Sequence, residues 1–122
     1  MLAISLILFA LAVLVGAVMA IIHLSSSGAR TPPVPLAALH GVLAVGGLVL
    51  LALGLDGPIR GLATGTSQFG AIALVFFVVA SLGGLILLRA HMKRGRLPGA
   101  PIGIHALVAV VGFVMLFVYV LL

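Results

Sequence analysis

Hydrophobic positions in this chain do not alternate with polar ones. They run unbroken, and they do so four times: about 2–24, 36–55, 69–90 and 102–122. In residues these are Leu2–Leu24, Leu36–Leu55, Phe69–Ala90 (strictly apolar as far as Leu88) and Ile102–Leu122. Each run approaches the roughly 20 residues that carry a helix across the core of a bilayer. Barrel strands would alternate lipid-facing and inward positions, and no run does so. A backbone in lipid must satisfy its own hydrogen bonds, which a single segment achieves only as a helix. The pattern predicts an all-α fold, an integral membrane four-helix up-down bundle with residues 1–122 as a single transmembrane domain.

Polar residues collect in the breaks. Ser25-Ser26-Ser27-Gly28-Ala29-Arg30-Thr31-Pro32-Pro33-Val34-Pro35 ends the first helix, and Pro35 suits the first turn of the second. Asp56-Gly57-Pro58 closes the second, and Gly65–Gln68 leads into the third. Lys93-Arg94-Gly95-Arg96-Leu97-Pro98-Gly99-Ala100-Pro101 separates the third from the fourth. These loops are too short to form a soluble domain, so any chemistry must come from the helices and their ends.

Two helical hairpins repeat. A shift of 65 residues pairs Pro33 with Pro98, His40 with His105, Ala44 with Ala109, Val45 with Val110, Gly47 with Gly112 and Val49 with Val114. A shift of 68 pairs Phe9 with Phe77, Gly16 with Gly84 and His23 with His91. Matches among Leu, Val and Ala mean little in a chain that is 65% hydrophobic, so His, Gly, Phe and Pro carry the repeat. Both halves enter the membrane in the same direction, which places the repeat axis along the membrane normal.

Charge adds orientation. Only 6% of residues are charged, and five of the six basic ones (Arg30, Arg89, Lys93, Arg94 and Arg96) fall on the side of the first and third loops. Asp56, Arg60 and both termini share the other side. The positive-inside rule predicts a multi-pass protein of the cell (inner) membrane with those two loops cytoplasmic and both termini outside. The net charge of +5 suits anionic lipid headgroups. The short basic run Arg89–Arg96, set between two spans, gives no nucleic-acid site. Val18-Met19-Ala20 loosely resembles a signal cleavage site, but no positive residue precedes the apolar stretch, so a true first span is expected. Absence of cysteine excludes disulfides, thiolate ligands and covalent Cys-x-x-Cys-His haem attachment.

The chemistry available lies in four histidines, His23, His40, His91 and His105, all on the same side of the membrane. Imidazole is the neutral side chain suited to holding a metal or haem iron in a bilayer. In an up-down-up-down bundle the first and third helices are diagonal, as are the second and fourth, so His40 faces His105 and His23 pairs with His91. His40 and His105, five and four residues after Pro35 and Pro101, lie about 6–8 Å inside their helices. They are the candidate iron ligands. His23 and His91 lie near headgroup level, where with Arg89, and Lys93 or Arg94, they suit haem propionates or headgroups. Gly47 and Gly112 follow the deep histidines by seven residues, and Gly16 and Gly84 precede the shallow ones by seven. Seven residues is nearly two turns, so each glycine shares its histidine's face and is expected to clear space for a flat ring or a neighbouring helix. The phenylalanines read mostly as lipid-facing or core, and Tyr119 as an interfacial anchor.

On these His and Gly positions, which span all four helices, the chain resembles the small bis-histidine membrane cytochromes b. The resemblance implies haem b held by His40 and His105, electron transfer, and a quinone or redox protein as partner. Their common two-haem form places haems near opposite membrane faces, whereas all four histidines here share one side, which argues against transmembrane electron transfer through two haems. The vertical gap between the two histidine pairs is smaller than a porphyrin, so two stacked haems would collide and a single one is expected. Two other classes stay open. One is a copper or zinc binding or transport protein using the four imidazoles. The other is an accessory subunit of a larger membrane complex, or a homo-oligomer, binding a pigment such as chlorophyll. No nucleophile–base–acid set supports hydrolysis, no catalytic residue is assigned, and the only acid, Asp56, lies outside the spans.

Overall fold

The computed structural model of the chain describes residues 1–93, 97 and 99–122. Pro98, the repeat partner of Pro33, and Arg94 and Arg96 of the basic loop lie outside those residues. The described residues form four helices and no strand: α1 (Leu2–Ser25), α2 (Val34–Leu55), α3 (Phe69–Met92) and α4 (Gly99–Leu121). All four are long and apolar enough to cross a membrane. Even α2, the shortest at 22 residues, extends about 33 Å. α2 and α4 begin before their apolar runs because Pro35 and Pro101 sit in the first turn, where a backbone N–H has no acceptor within the helix.

The helices pack as a ring in chain order, each against its two neighbours, most closely within the hairpins α1–α2 and α3–α4. α1 therefore lies diagonal to α3, and α2 to α4. Outward faces carry exposed Ile4, Leu14, Val42, Val75, Leu85 and Leu107, a surface suited to lipid tails.

The buried interior follows the repeat more closely than rare residues alone disclose. Leu51 and Leu116, fully buried, are related by the same shift of 65 as the deep histidines. Ala12 and Ala80, also buried, are related by the shift of 68. At the end of the bundle away from the histidines the two hairpins solve one contact in opposite ways. In the first, a Cβ on Gly54 would lie 2.7 Å from a methyl of Leu2. In the second, a Cβ on Gly70 would lie 2.6 Å from the ring of Tyr119. Leu2 and Gly70 are repeat partners, as are Gly54 and Tyr119, so the large and small residues have exchanged helices. Tyr119 is thus buried against α3, not turned outward as an interfacial anchor, because Gly70 leaves room for its ring.

Ser5 is a polar residue within this interior. Fully buried, it donates its hydroxyl to the Gly47 carbonyl at 2.8 Å and ties α1 to α2. Its repeat partner is Ala73. A Ser5→Ala variant should therefore stay folded and lose about 0.5–1 kcal/mol, read as a lower SDS midpoint in mixed micelles.

The loop between α2 and α3 is closed locally. Gly61 has φ +71, and a Cβ there would run into the Thr66 hydroxyl, so glycine is required by conformation and by space. The Thr66 N–H donates to the Gly61 carbonyl at 2.9 Å, and the Arg60 guanidinium donates to the Val120 carbonyl at 3.1 Å, near the end of α4.

Candidate functional site

Two layers of aromatic rings cross the bundle, one from each diagonal. Phe9 of α1 and Phe77 of α3, both buried, stack with ring centroids 3.6 Å apart and planes within 4°. His40 of α2 and His105 of α4, both half-buried, meet edge to face with centroids 6.0 Å apart and planes at 69°. In each hairpin a ring from one helix sits on a glycine of the other. A Cβ on Gly47 would lie 3.1 Å from the Phe9 ring, and one on Gly16 would lie 3.0 Å from Cε1 of His40. In the second hairpin a Cβ on Gly112 would lie 3.4 Å from the Phe77 ring, and one on Gly84 would lie 3.3 Å from Cε1 of His105. Seven residues separate phenylalanine from glycine on α1 and α3, and histidine from glycine on α2 and α4, so the layers lie about 10 Å apart.

The four glycines were expected to clear space for a flat ring or for a neighbouring helix. Gly16 and Gly84 seat the imidazoles of the facing helix, and Gly47 and Gly112 seat the phenyl rings, so side chains of the neighbouring helix take that space. The physical reason is reciprocal: a ring on one antiparallel helix needs a missing side chain opposite it, and the chain's own rings use that room.

Backbone carbonyls fix the deep histidines. His40 donates from Nδ1 to the Ala12 carbonyl at 2.8 Å, and His105 donates from Nδ1 to the Ala80 carbonyl at 2.9 Å. A carbonyl can only accept, so Nδ1 carries the proton in both rings and Nε2 of the neutral imidazole holds the lone pair. Metal-binding histidines are prepared in this way, since a hydrogen bond on the second nitrogen sets tautomer and ring angle. Ala12 and Ala80, like Gly16 and Gly84, add almost no bulk on α1 and α3 at this level.

The glycine seats make a measurable prediction. Gly16→Ala should displace the His40 ring and shift its Nδ1 signal in nitrogen-15 spectra. Gly84→Ala, with a slightly longer approach, should disturb His105 less. Equal disturbance of both rings by either variant would contradict the assigned seating.

The shallow histidines do not join this pair. His23 turns to its own loop, with Nδ1 3.2 Å from the Arg30 carbonyl that accepts its proton, and only 6% of the residue is exposed. That loop is folded around it. The Gly28 N–H donates to the His23 carbonyl at 2.9 Å, and the Ser26 hydroxyl lies 2.9 Å from the same carbonyl while accepting the Arg30 N–H at 2.9 Å. His91 is half-exposed in the last turn of α3, and Arg89 and Lys93 are exposed beside it. Arg94, the other expected propionate contact, lies outside the described residues. Among the described residues no three His or acidic side chains gather as metal ligands.

Among the described residues the donors brought together here are the two imidazoles. An ion bound at about 2 Å by one nitrogen of each ring would hold the centroids about 6 Å apart, as found here. A porphyrin brings nitrogen donors of its own, so haem would suit a protein contribution of two histidines, His40 and His105. A structural zinc ion takes four ligands from its surroundings, which this pair does not provide. Two depressions, both open to the surface, lie at the bundle ends, one beside His23 and one beside Asp56, and neither is lined by His40 or His105. The donors fit haem, and the flanks of α1 and α3 would have to part to admit it. No protein-family model matches the chain, and no curated protein or solved structure matches it either.

Proposed function

We propose that this chain is a membrane-embedded b-type haem protein with one bis-histidine haem on its histidine side. The observation that carries the reading is the His40–His105 pair: two imidazoles from diagonal helices, 6.0 Å apart, each with Nδ1 committed to a carbonyl and Nε2 left for a ligand. Bound haem would supply one-electron chemistry. The protein's part is to hold both imidazoles in the ligating tautomer, to surround them with apolar side chains, and to offer only small residues on α1 and α3 beside them. Exchange of electrons with a quinone or a redox protein at the cytoplasmic half of the membrane follows from the orientation that the basic residues favour.

The limited donor set favours haem over a copper or zinc carrier, because the four histidines do not form one ring of ligands. The test is optical. Protein produced with haem available, then purified, is expected to show a Soret band that shifts on reduction with dithionite. Preparations that never take up haem, whether during expression or on titration of the purified chain, would end this reading.

A further inference from the structure

The bundle is packed unevenly along its length. Apart from His23, which its own loop covers, α1 buries no residue beyond Ala12 and α3 none beyond Ala80. In the same way α2 buries none before Gly47 and α4 none before Gly112. The buried helix positions thus lie in the half away from the histidine loops. Close contacts from one hairpin to the other are found there. Phe9 stacks on Phe77, Leu55 of α2 packs on Gly70 of α3, and the Arg60 guanidinium reaches the Val120 carbonyl. The α2–α3 loop, the covalent link between the hairpins, lies at the same end.

The histidine half is built differently. Among the described residues its side-chain hydrogen bonds stay within one hairpin: His40 to Ala12 joins α2 to α1, and His105 to Ala80 joins α4 to α3. The glycine seats do the same, Gly16 for His40 and Gly84 for His105. The two imidazoles meet edge to face across the hairpins with no hydrogen bond between them. At the mouth of the α1–α4 seam a depression of about 290 Å³ lies open to the surface, with Leu24 and Gly28 on one wall and Leu97 and Gly99 on the other. Nothing lies within 4 Å of a Cβ at Gly99 or Gly103, so the start of α4 is unpacked at these positions. In lipid, helices are held together by packing and hydrogen bonds and not by escape from water. Where little of either crosses between two parts, that region opens before the rest of the fold.

We propose that the hairpins part as two rigid arms, hinged at the Phe9–Phe77 layer and the α2–α3 loop, and that the α1–α4 seam is where the guest of the His40–His105 pair enters sideways. Each arm carries its own imidazole, carbonyl and glycine, so opening widens the gap between the rings without disturbing their tautomer. The arms then admit a flat amphiphile edge first and close both rings on it. The identity of that guest rests on the haem reading above; the opening does not.

The chain has no cysteine, so probes go only where cysteines are introduced. Spin labels on Val18→Cys with Ile86→Cys report on α1 and α3 in the histidine half, and on Ile7→Cys with Val75→Cys in the other half. All four positions are exposed, and the shift of 68 relates the two members of each pair. Double electron–electron resonance on haem-free protein in bilayers should give a Val18–Ile86 distance distribution at least about twice as wide as the Ile7–Val75 one. A pair within the first hairpin, Val18→Cys with Leu39→Cys, should stay narrow, since that arm moves as a unit. Equally narrow distributions in both halves would overturn the opening. So would a within-hairpin pair as broad as Val18–Ile86, which would show loose helices and not parted arms.

Leu24→Cys with Gly99→Cys, joined by a reducible bifunctional thiol reagent, tests the seam. Joined protein should fail to take up haem and should regain uptake once the reagent is reduced, whereas protein loaded first and joined afterwards should keep its Soret band. Unimpeded uptake by joined protein would remove the seam as the entry. If protein that has not been joined takes up none, the haem reading fails and the entry role with it, while the spin labels still decide the opening.

Discussion

Haem-loaded protein carrying His40→Ala together with His105→Ala is expected to lose its reducible Soret band, and either single variant to bind haem about 100-fold or more weakly. Loss of an outer hydrogen-bonding partner to a metal ligand already costs 10–100-fold, and these variants remove the ligand itself. The two sites should be close to equivalent, because each imidazole is held by the same three features: a carbonyl acceptor, a glycine seat and an adjoining alanine. Damage to the fold can be separated from loss of the ligand. Each ring is half-buried and makes one hydrogen bond to a carbonyl that belongs to a helix. Its removal should lower the stability of haem-free protein by only about 1 kcal/mol. His23→Ala and His91→Ala serve as controls and should leave the haem spectrum in place. A double variant with an undiminished spectrum would show that iron is held elsewhere, or not by histidine.

Much of this arrangement is legible in the chain, and the limit falls at a definite place. The four helices follow from run length, since nothing but a membrane-length helix accommodates twenty apolar residues without alternation. The diagonal meeting of His40 and His105 follows from hairpin order and from their matched distances behind Pro35 and Pro101. The glycine spacing shows a cleared face toward a flat ring or a neighbouring helix, and leaves the occupant open. A spacing of seven shows that Gly47 shares a face with His40 on its own helix; it does not say which side chain of α1 fills the space opposite. A signal was present in Phe9 and Phe77, which precede Gly16 and Gly84 by the same seven residues. Read with the histidine spacing on antiparallel partners, it pairs each ring with the facing glycine. Ser5 carried a smaller signal as a lone hydroxyl in an apolar span, where it must find an acceptor on a neighbouring helix. The role of His23 could not be read from periodicity, because it depends on how Ser26, Gly28 and Arg30 close a loop.

The two aromatic layers divide the work of the bundle. Histidines on one diagonal leave a nitrogen lone pair on each ring near the membrane surface. Phenylalanines on the other diagonal fill the middle with hydrocarbon and keep α1 and α3 in register below the imidazoles. Both layers use the same glycine-for-ring exchange, so a duplicated hairpin yields them together. The repeat is broken where only one copy is needed, as in Ser5 opposite Ala73 and in the exchange of Leu2 and Gly54 for Gly70 and Tyr119.

The phenylalanine layer is where a single substitution should cost the most stability. Phe77→Ala removes a ring that is 3% exposed, leaves the opposing face of Phe9 bare, and empties the space beside Gly112. In water-soluble cores such a change costs about 3–5 kcal/mol. In a bilayer the unfolded side chain stays among lipid tails, so the transfer part falls away and lost packing dominates, leaving about 2–3 kcal/mol. Ring quadrupoles disfavour the face-to-face stack relative to an offset one, so Gly47 and Gly112 hold it by shape more than by attraction between the rings. Phe9→Ala should therefore cost nearly as much as Phe77→Ala, and the double variant less than the two combined, since the second ring has already lost its partner. Phe117→Ala, at a position 46% exposed, should cost little by comparison. SDS-induced unfolding followed by circular dichroism measures all four. The layer lies about 10 Å below the histidines, so Phe77→Ala should lower the midpoint without moving the Soret maximum of haem-loaded protein. Strict additivity of Phe9→Ala and Phe77→Ala would show that the rings do not support one another, and with that the central layer would lose its structural role.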